Sequence, residues 1–400
     1  MRRCCSPEAR TKAGGFRSRC VFWGLVGVVA SVLVTGIPFL SGCRGNAAST
    51  GEAVSTAAPV SMTAPVSTGE AGPESQATST SNPASANTGT SPYPVGLAVE
   101  FTDHAAAGMV ALDKGWFEEA GIAVTSFENY VTGTDLAAAL ARGGIQAAYL
   151  CLVPALNVVA NAQVPLKVVA GTHKYGYALV ANPSRVSQRE DLADPAVKLG
   201  CTQPGAAADV LPMRLCDMSG IPRSEVAQRV QRMNPPAQVM ALKAGSIDAC
   251  FVPEHWASLA ENLGFSVLAS CQDIWPDFPG SVLAVKEDLI RDHPEVVKGL
   301  VAVTKKATDW INQNPQDAAA VVAASLSVTG NTVLPEKAAT AAARLVATPE
   351  VIALSMSRLE YTTLLDAVQV QAVIDYVVGL GYLKKTINAD QVLDLDFLAP

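Results

Sequence analysis

The sequence predicts an α/β fold of two lobes, each a mixed and mostly parallel sheet flanked by helices, joined by two interlobe crossings. Three observations carry this. Between Val95 and Phe127 an apolar run gives way to helical spacing through Met109, Val110, Leu112 and Phe117. Gly121 then stops the helix before Ile122, Val124 and Phe127, which makes a strand, helix, strand unit. The segment ALARGGIQAAYL from Ala139 is echoed by ALKAGSIDACFV from Ala241, with Ala, Leu, Gly, Ile and Ala at the same offsets, so one design occurs twice. Two helix-breaking stretches, 171–183 and 273–285, each carry an apolar strand and supply the crossings.

Four hundred residues with 49% hydrophobic content can bury a large core. The net charge is −7; residues 1–42 carry a basic excess, and without them the charge is about −12. An acidic chain without basic stripes excludes nucleic acid as a partner. Of nine cysteines, Cys4, Cys5, Cys20 and Cys43 lie within or at the end of the first 43 residues. Cys151, Cys201, Cys216, Cys250 and Cys271 show no CxxC spacing and read as buried thiols, with one disulfide in the second lobe as the other option.

In chain order, basic residues precede an uninterrupted apolar segment at 21–40, long enough for a signal h-region or a spanning helix. Leu40-Ser41-Gly42-Cys43 resembles the lipobox of bacterial lipoproteins. That likeness implies a signal peptide over 1–42 and a lipid on the Cys43 thiol. Residues 43–92 are rich in Ser, Thr, Ala, Pro and Gly and carry no aromatic residue, so they are expected to stay disordered. Such a leash reaches on the order of 40 Å.

The first lobe begins at 93 and runs to 180. Its second helix spans 135–144 and ends at glycine, a strand follows at 145–150, a helix at 153–162 and a strand at 166–170. The second lobe, 181–280, repeats the plan: a strand at 198–202, a turn at Gln203-Pro204-Gly205, a helix at 206–219, a strand at 227–233, the echo, a helix at 254–262 and a strand at 265–270. Residues 281–400 return to lobe one; beyond Glu287 they are helical, with breaks at Pro294, Pro315 and 328–334. These helices are expected to wrap lobe one, with Lys305, Lys306, Arg344 and Arg358 on solvated faces.

Motifs spread over about 300 residues carry a family likeness. They are KGWFEEAGI at 114–122, the G-x-I-x-A strand entries at Gly143 and Gly245, PLKVVAG at 165–171 and Asp191-Leu192. Pro204-Gly205, WPDFP at 275–279 followed by Val282-Leu283, and HPEVV at 293–297 complete the set. With them the chain resembles the periplasmic-binding-protein type II components of ABC transporters, in the nitrate/sulfonate/taurine branch that also includes binders of thiamine-pyrimidine precursors. The resemblance implies a monomeric receptor, without a cofactor, that closes on a small solute and delivers it to a permease and its ATPase.

Five strand-to-helix corners are expected to face the cleft: 102–105, 131–134, 151–153, 205–206 and 254–255. Free N–H groups at helix N-termini suit an anionic head group, and small residues let backbone approach closely. The candidate ligand-binding residues are Thr102, Asp103, His104, Thr132, Gly133, Cys151, Leu152, His173, Gly205, Ala206 and Glu254. His104 and His173 are the candidate oxyanion donors. Glu254 is the candidate partner of a ligand amine, as in a zwitterion, although relatives carry a Glu-Pro pair where this chain has Pro253-Glu254. A metal receptor built on His104, His173, Glu254 and His255, a pyrimidine binder and a ligand-sensing receptor subunit are the rival readings. Catalysis is not expected, since GxSxG, HExxH and P-loop motifs are absent.

Overall fold

A computed structural model describes residues 91–333 and 347–399. The leader expected at 1–42, Cys43, the expected linker as far as residue 90 and Arg344 lie outside the described residues. In chain order the strands are β1 (Tyr93–Glu100), β2 (Ile122–Tyr130), β3 (Ala147–Cys151), β4 (Leu166–Lys174), β5 (Tyr177–Ala181) and β6 (Leu199–Cys201). They continue with β7 (Val230–Arg232), β8 (Ala249–Pro253), β9 (Ser266–Ser270), β10 (Pro279–Lys286) and β11 (Glu360–Tyr361). Apolar, β-branched runs bounded by glycine and proline make these strands. They form a six-stranded sheet in the order β11-β4-β10-β3-β1-β2 and a five-stranded sheet in the order β7-β6-β8-β5-β9.

The echo marks equivalent positions in the two sheets. β3 pairs parallel with β1 and antiparallel with β10; β8 pairs parallel with β6 and antiparallel with β5. The glycines ahead of them, Gly143 and Gly245, both take positive φ (92° and 69°), which turns the chain from helix to strand. In each sheet the antiparallel strand beside this central one arrives by a crossing: β5 enters the second sheet directly after β4, and β10 returns to the first after β9.

The crossings lie slightly earlier than the sequence suggests. The run 177–180 is expected to close lobe one, but Tyr177–Ala181 is β5 of the second sheet, and β10 of the first sheet already starts at Pro279. Residues 171–174 were expected as a turn; β4 instead extends through Lys174, because β10 and β11 satisfy its backbone on both sides.

The C-terminal helices depart further from expectation. Pro294–Gln313 does pack on Ala106–Asp113 of lobe one, but Pro349–Met356 packs on Glu254–Asn262 of lobe two. Ala367–Gly379 brings Tyr376 to Asp217 of lobe two. An apolar helical face announces that it will be buried and not against which lobe. The helix Pro315–Val333 also continues through the expected break. Lys305 and Lys306 are exposed as expected, whereas Arg358 is half-buried against Glu254 and Glu261.

Two apolar clusters flank the sheets, and each draws on both lobes: Leu156 with Leu211 in one, Val110 with Leu259 in the other. Phe101 of lobe one meets Trp256 of lobe two at a ring-centroid distance of 6.4 Å. Inside the second cluster a Cβ on Gly108 would stand 2.9 Å from the Tyr149 ring, which cannot retreat because its hydroxyl pairs with Thr304 Oγ1 at 2.8 Å. In Gly108→Ala a helix-propensity gain of about 1 kcal/mol therefore opposes an overpacking cost of about 1–3 kcal/mol. The expected outcome in urea unfolding is a net loss of about 1 kcal/mol; a gain in stability would show that the ring yields.

Candidate functional site: the seam between the lobes

β1 ends at Glu100, and Thr102, in an extended conformation, caps the next turn by accepting from His104 N at 2.9 Å. The cap points Asp103 and His104 inward, where both are buried. His104 Nε2 donates to the carbonyl of Gly176 at 2.6 Å, and Glu254 N donates to the same oxygen at 2.8 Å. A carbonyl only accepts, so Nε2 carries a proton; Nδ1 then faces Glu100 Oε2 at 3.9 Å, an ionic approach rather than a hydrogen bond. Burial opposes the charged ring, but Glu100 and Asp103 outweigh it and raise the His104 pKa.

The His173 ring stands 4.6 Å from that of His104 and its Nδ1–H donates to Lys174 O at 3.1 Å. Burial and the neighbouring imidazole push its pKa down to about 3, so this ring is neutral. Asp103 accepts from Ser355 Oγ and, at 3.3 Å, from Thr102 Oγ1, with His255 Nδ1 at 3.5 Å. Burial works against its charge, yet His255, His104 and Ser355 hold its pKa down at about 2. Glu254 pairs with Arg358 at 3.0 Å, and burial outweighs the guanidinium and pushes its carboxyl up to about 7.

These groups enclose the crossings. Tyr175 N donates to Phe278 O at 3.0 Å, tying one crossing to the other. Gly176 has φ +97°, and a Cβ there would lie 2.5 Å from His104 Nε2; a Cβ on Gly280 would lie 2.5 Å from His173 Cε1. Thus Thr102, Asp103, His104, His173 and Glu254 do come together, but around the hinge, with the polar atoms of Asp103 and Glu254 and the Nε2 of His104 engaged by protein groups. The proposed metal set does not form: His255 turns to Asp103, and among the described residues no three His, Cys, Asp or Glu are placed to hold an ion.

The remaining candidates form a second group. Thr132 caps Gly133–Arg142 through Asp135 N at 3.2 Å. Gly133 presses on Glu100, where a Cβ would stand 2.2 Å from Oε1. The same oxygen accepts from Cys151 N at 2.9 Å, so Glu100 sits at the N-terminus of the helix Leu152–Ala160. From that helix Asn157 Nδ2 donates to Gly205 O at 2.9 Å, just ahead of Ala207–Ser219 in the other lobe. Neither Cys151 nor Ala206 caps its helix with a side chain. Leu152 and Ala206 are buried. The five cysteines of the described residues are buried and free, and burial, with Glu100 adding to it, pushes the Cys151 thiol up to about 12.

Glu100, Asn157, Ser355, Arg358 and Tyr361, whose hydroxyl donates to Asp103 O at 3.1 Å, are the seam residues absent from the sequence-based candidates. Glu100 alone left a trace, a carboxylate ending an otherwise apolar strand.

Residues 92–327 match the NMT1-like family. The chain belongs to that family. This NMT1-like chain is 26% identical over 236 residues to the nitrate/nitrite binding protein NrtA of Nostoc sp., covering 54% of this chain and 53% of that protein. It spans about half, or less, of the length of the curated relatives it matches. Its fold is shared with the periplasmic nitrate-binding protein NrtA of Synechocystis PCC 6803 (TM-score 0.63, 15% identity, 76% of this chain and 87% of that one). It is shared too with the alkanesulfonate-binding protein SsuA of Xanthomonas axonopodis pv. citri bound to MOPS (TM-score 0.62, 17% identity, 77% and 100%). All three are named as binding proteins, not as enzymes. No described helix of the NMT1-like chain is long and apolar enough to cross a membrane.

Because Glu254 keeps its proton more readily in the folded chain than in the unfolded one, its contribution is greatest at low pH and is lost as pH rises from 4.5 towards 7. His104 acts with the same sign, and His173 and His255 with the opposite sign below 6.5, so a comparison with Glu254→Gln isolates the carboxyl. In urea titrations the stability of the native chain relative to this variant is expected to fall by about 2 kcal/mol between about pH 5 and about pH 8. A constant difference would place an ionised Glu254 in the fold.

Proposed function

We propose that this chain is the extracytoplasmic solute-binding component of an ABC importer, held beside the membrane by a lipid on Cys43 and the 43–92 linker. It captures a small zwitterion between its lobes and delivers it to a permease driven by an ATPase; it is not an enzyme. The observation that carries the reading is that two helix N-termini, one at Leu152–Ala160 met by the Glu100 carboxylate and one at Ala207–Ser219 without a side-chain cap, are tied across the seam by Asn157 donating to Gly205 O. N–H groups at the latter suit an oxyanion and Glu100 suits an amine. Of the seam guanidiniums, Arg358 is taken by Glu254 and Glu261 and Arg232 by Asp209, while Arg214 lies against the Trp275 and Tyr376 rings, so recognition of the anion is assigned to backbone. Glu254, held by Arg358, thereby yields the amine-binding role to Glu100. Relatives that bind nitrate, nitrite and alkanesulfonates support an oxyanion at one end of the solute.

A thermal-shift screen of the leaderless protein against aminosulfonates, plain sulfonates, nitrate, bicarbonate, pyrimidines and divalent metals tests this. A ligand at a hundred times its dissociation constant adds about 2.7 kcal/mol, and an aminosulfonate is expected to do so. Glu100→Gln should lower its affinity at least about tenfold, to that of the amine-free sulfonate. Stabilisation by zinc or nickel alone would refute the reading.

A further inference from the structure

The last described residues belong to lobe one by their anchors. Asp394 N donates to Val168 O of β4 at 2.9 Å, and Lys167 Nζ of the same strand donates to Gln391 O at 2.7 Å. Between these anchors and the helix Ala367–Gly379 the chain reaches across the seam. Tyr376 donates its hydroxyl to Asp217 Oδ2 at 2.6 Å. Its ring lies between the guanidiniums of Arg223 and Arg214, 5.1 and 5.7 Å from the centroid, with Trp275 edge-on at 5.3 Å. Tyr382 donates its hydroxyl to Asp209, in the first turn of Ala207–Ser219. On the lobe-one side Asn161 Nδ2 donates to Tyr382 O at 2.8 Å and its Oδ1 accepts from Lys384 N at 2.7 Å. Asn161 also donates to Asn157, the residue that reaches Gly205.

Unlike the buried groups around the crossings, Tyr376 and Tyr382 are only half-buried, and each is joined to lobe two by one hydroxyl hydrogen bond, with Arg214, Arg223 and Trp275 also packed on the Tyr376 ring. The crossings can rotate with their covalent bonds intact, whereas a separation of the lobes must break these two contacts.

We infer that residues 376–384 are a latch that holds the two lobes together when no solute is bound; the inference rests on the solute-binding reading above and adds how its closure is regulated. The latch shifts the resting population towards the closed form, so part of the ordering cost of capture is met before the solute arrives. Removing it should speed solute association, speed dissociation more, and weaken overall affinity about tenfold.

The direct test is hydrogen exchange on the solute-free protein, comparing the native chain with Tyr376→Phe/Tyr382→Phe. Phenylalanine keeps both rings and removes only the hydroxyls. Peptides covering 151–160 and 203–213 should exchange about tenfold faster in the variant, with β1 and β3 unchanged. Equal exchange at the seam, or a rise shared by β1 and β3, overturns the latch. An aminosulfonate that restores protection to the variant supports both proposals. Faster seam exchange that no solute reverses keeps the latch and sinks the solute assignment.

Discussion

The carbonyl of Gly176, on the first crossing, accepts from the imidazole of His104 in one lobe and from the backbone of Glu254 in the other. The arrangement of the seam depends on this shared acceptor. It fixes which nitrogen of His104 is protonated, turns the other nitrogen to Glu100, and sets the start of Glu254–Asn262 against the hinge. Only glycine fits there, with positive φ and both histidine rings packed against its Cα. The adjoining Tyr175 and, on the other crossing, Asp277 also take left-handed conformations (φ 67° and 65°), each costing roughly 1–3 kcal/mol. Such conformations persist where surrounding contacts over-determine them, as the paired hydrogen bonds at Gly176 do.

The buried carboxyl groups follow from the same geometry. Glu100, Asp103 and Glu254 are all taken from water, and each is compensated differently: by a helix N-terminus, by hydroxyls and an imidazole, and by a guanidinium. A buried ion left without such partners costs several kcal/mol, so these pairings constrain how the lobes can meet. They also shape the proposed chemistry, since the engagement of Arg358 and Arg232 by carboxylates turns the proposal to backbone N–H groups as receivers of an anion. The C-terminal chain adds a second constraint by touching both lobes, at Asp103 and Glu254 through Ser355 and Arg358 and at Asp209 and Asp217 through two tyrosines.

Much of the fold could be read in the chain. The repeated A-L-x-x-G-x-I-x-A segment placed one central strand in each sheet, and glycine and proline marked where helices end. The apolar run of β5 fits either lobe by its pattern and pairs in the second sheet, and the 349–379 helices, expected on lobe one, also pack on lobe two. Apolar periodicity reports that a face is buried and is silent about the surface that buries it. Thr132, Gly133, Cys151, Gly205 and Ala206 do lie at strand-to-helix corners, whose position has a local signature in the chain. His104 and His173 were identifiable as unusual side chains, though not as hinge residues.

The sequence by itself determined most of the elements, their order, their doubling and the family, because propensity, turn chemistry and hydrophobic period act over a few neighbouring residues. Tertiary structure alone decided which partner each polar group takes. His104 and Gly176 are 72 positions apart, Asp103 and Ser355 are 252 apart, and Tyr376 and Asp217 are 159 apart. Hydrogen bonds and ion pairs depend on approach within a few ångströms, and nothing local in the chain encodes an approach across that span.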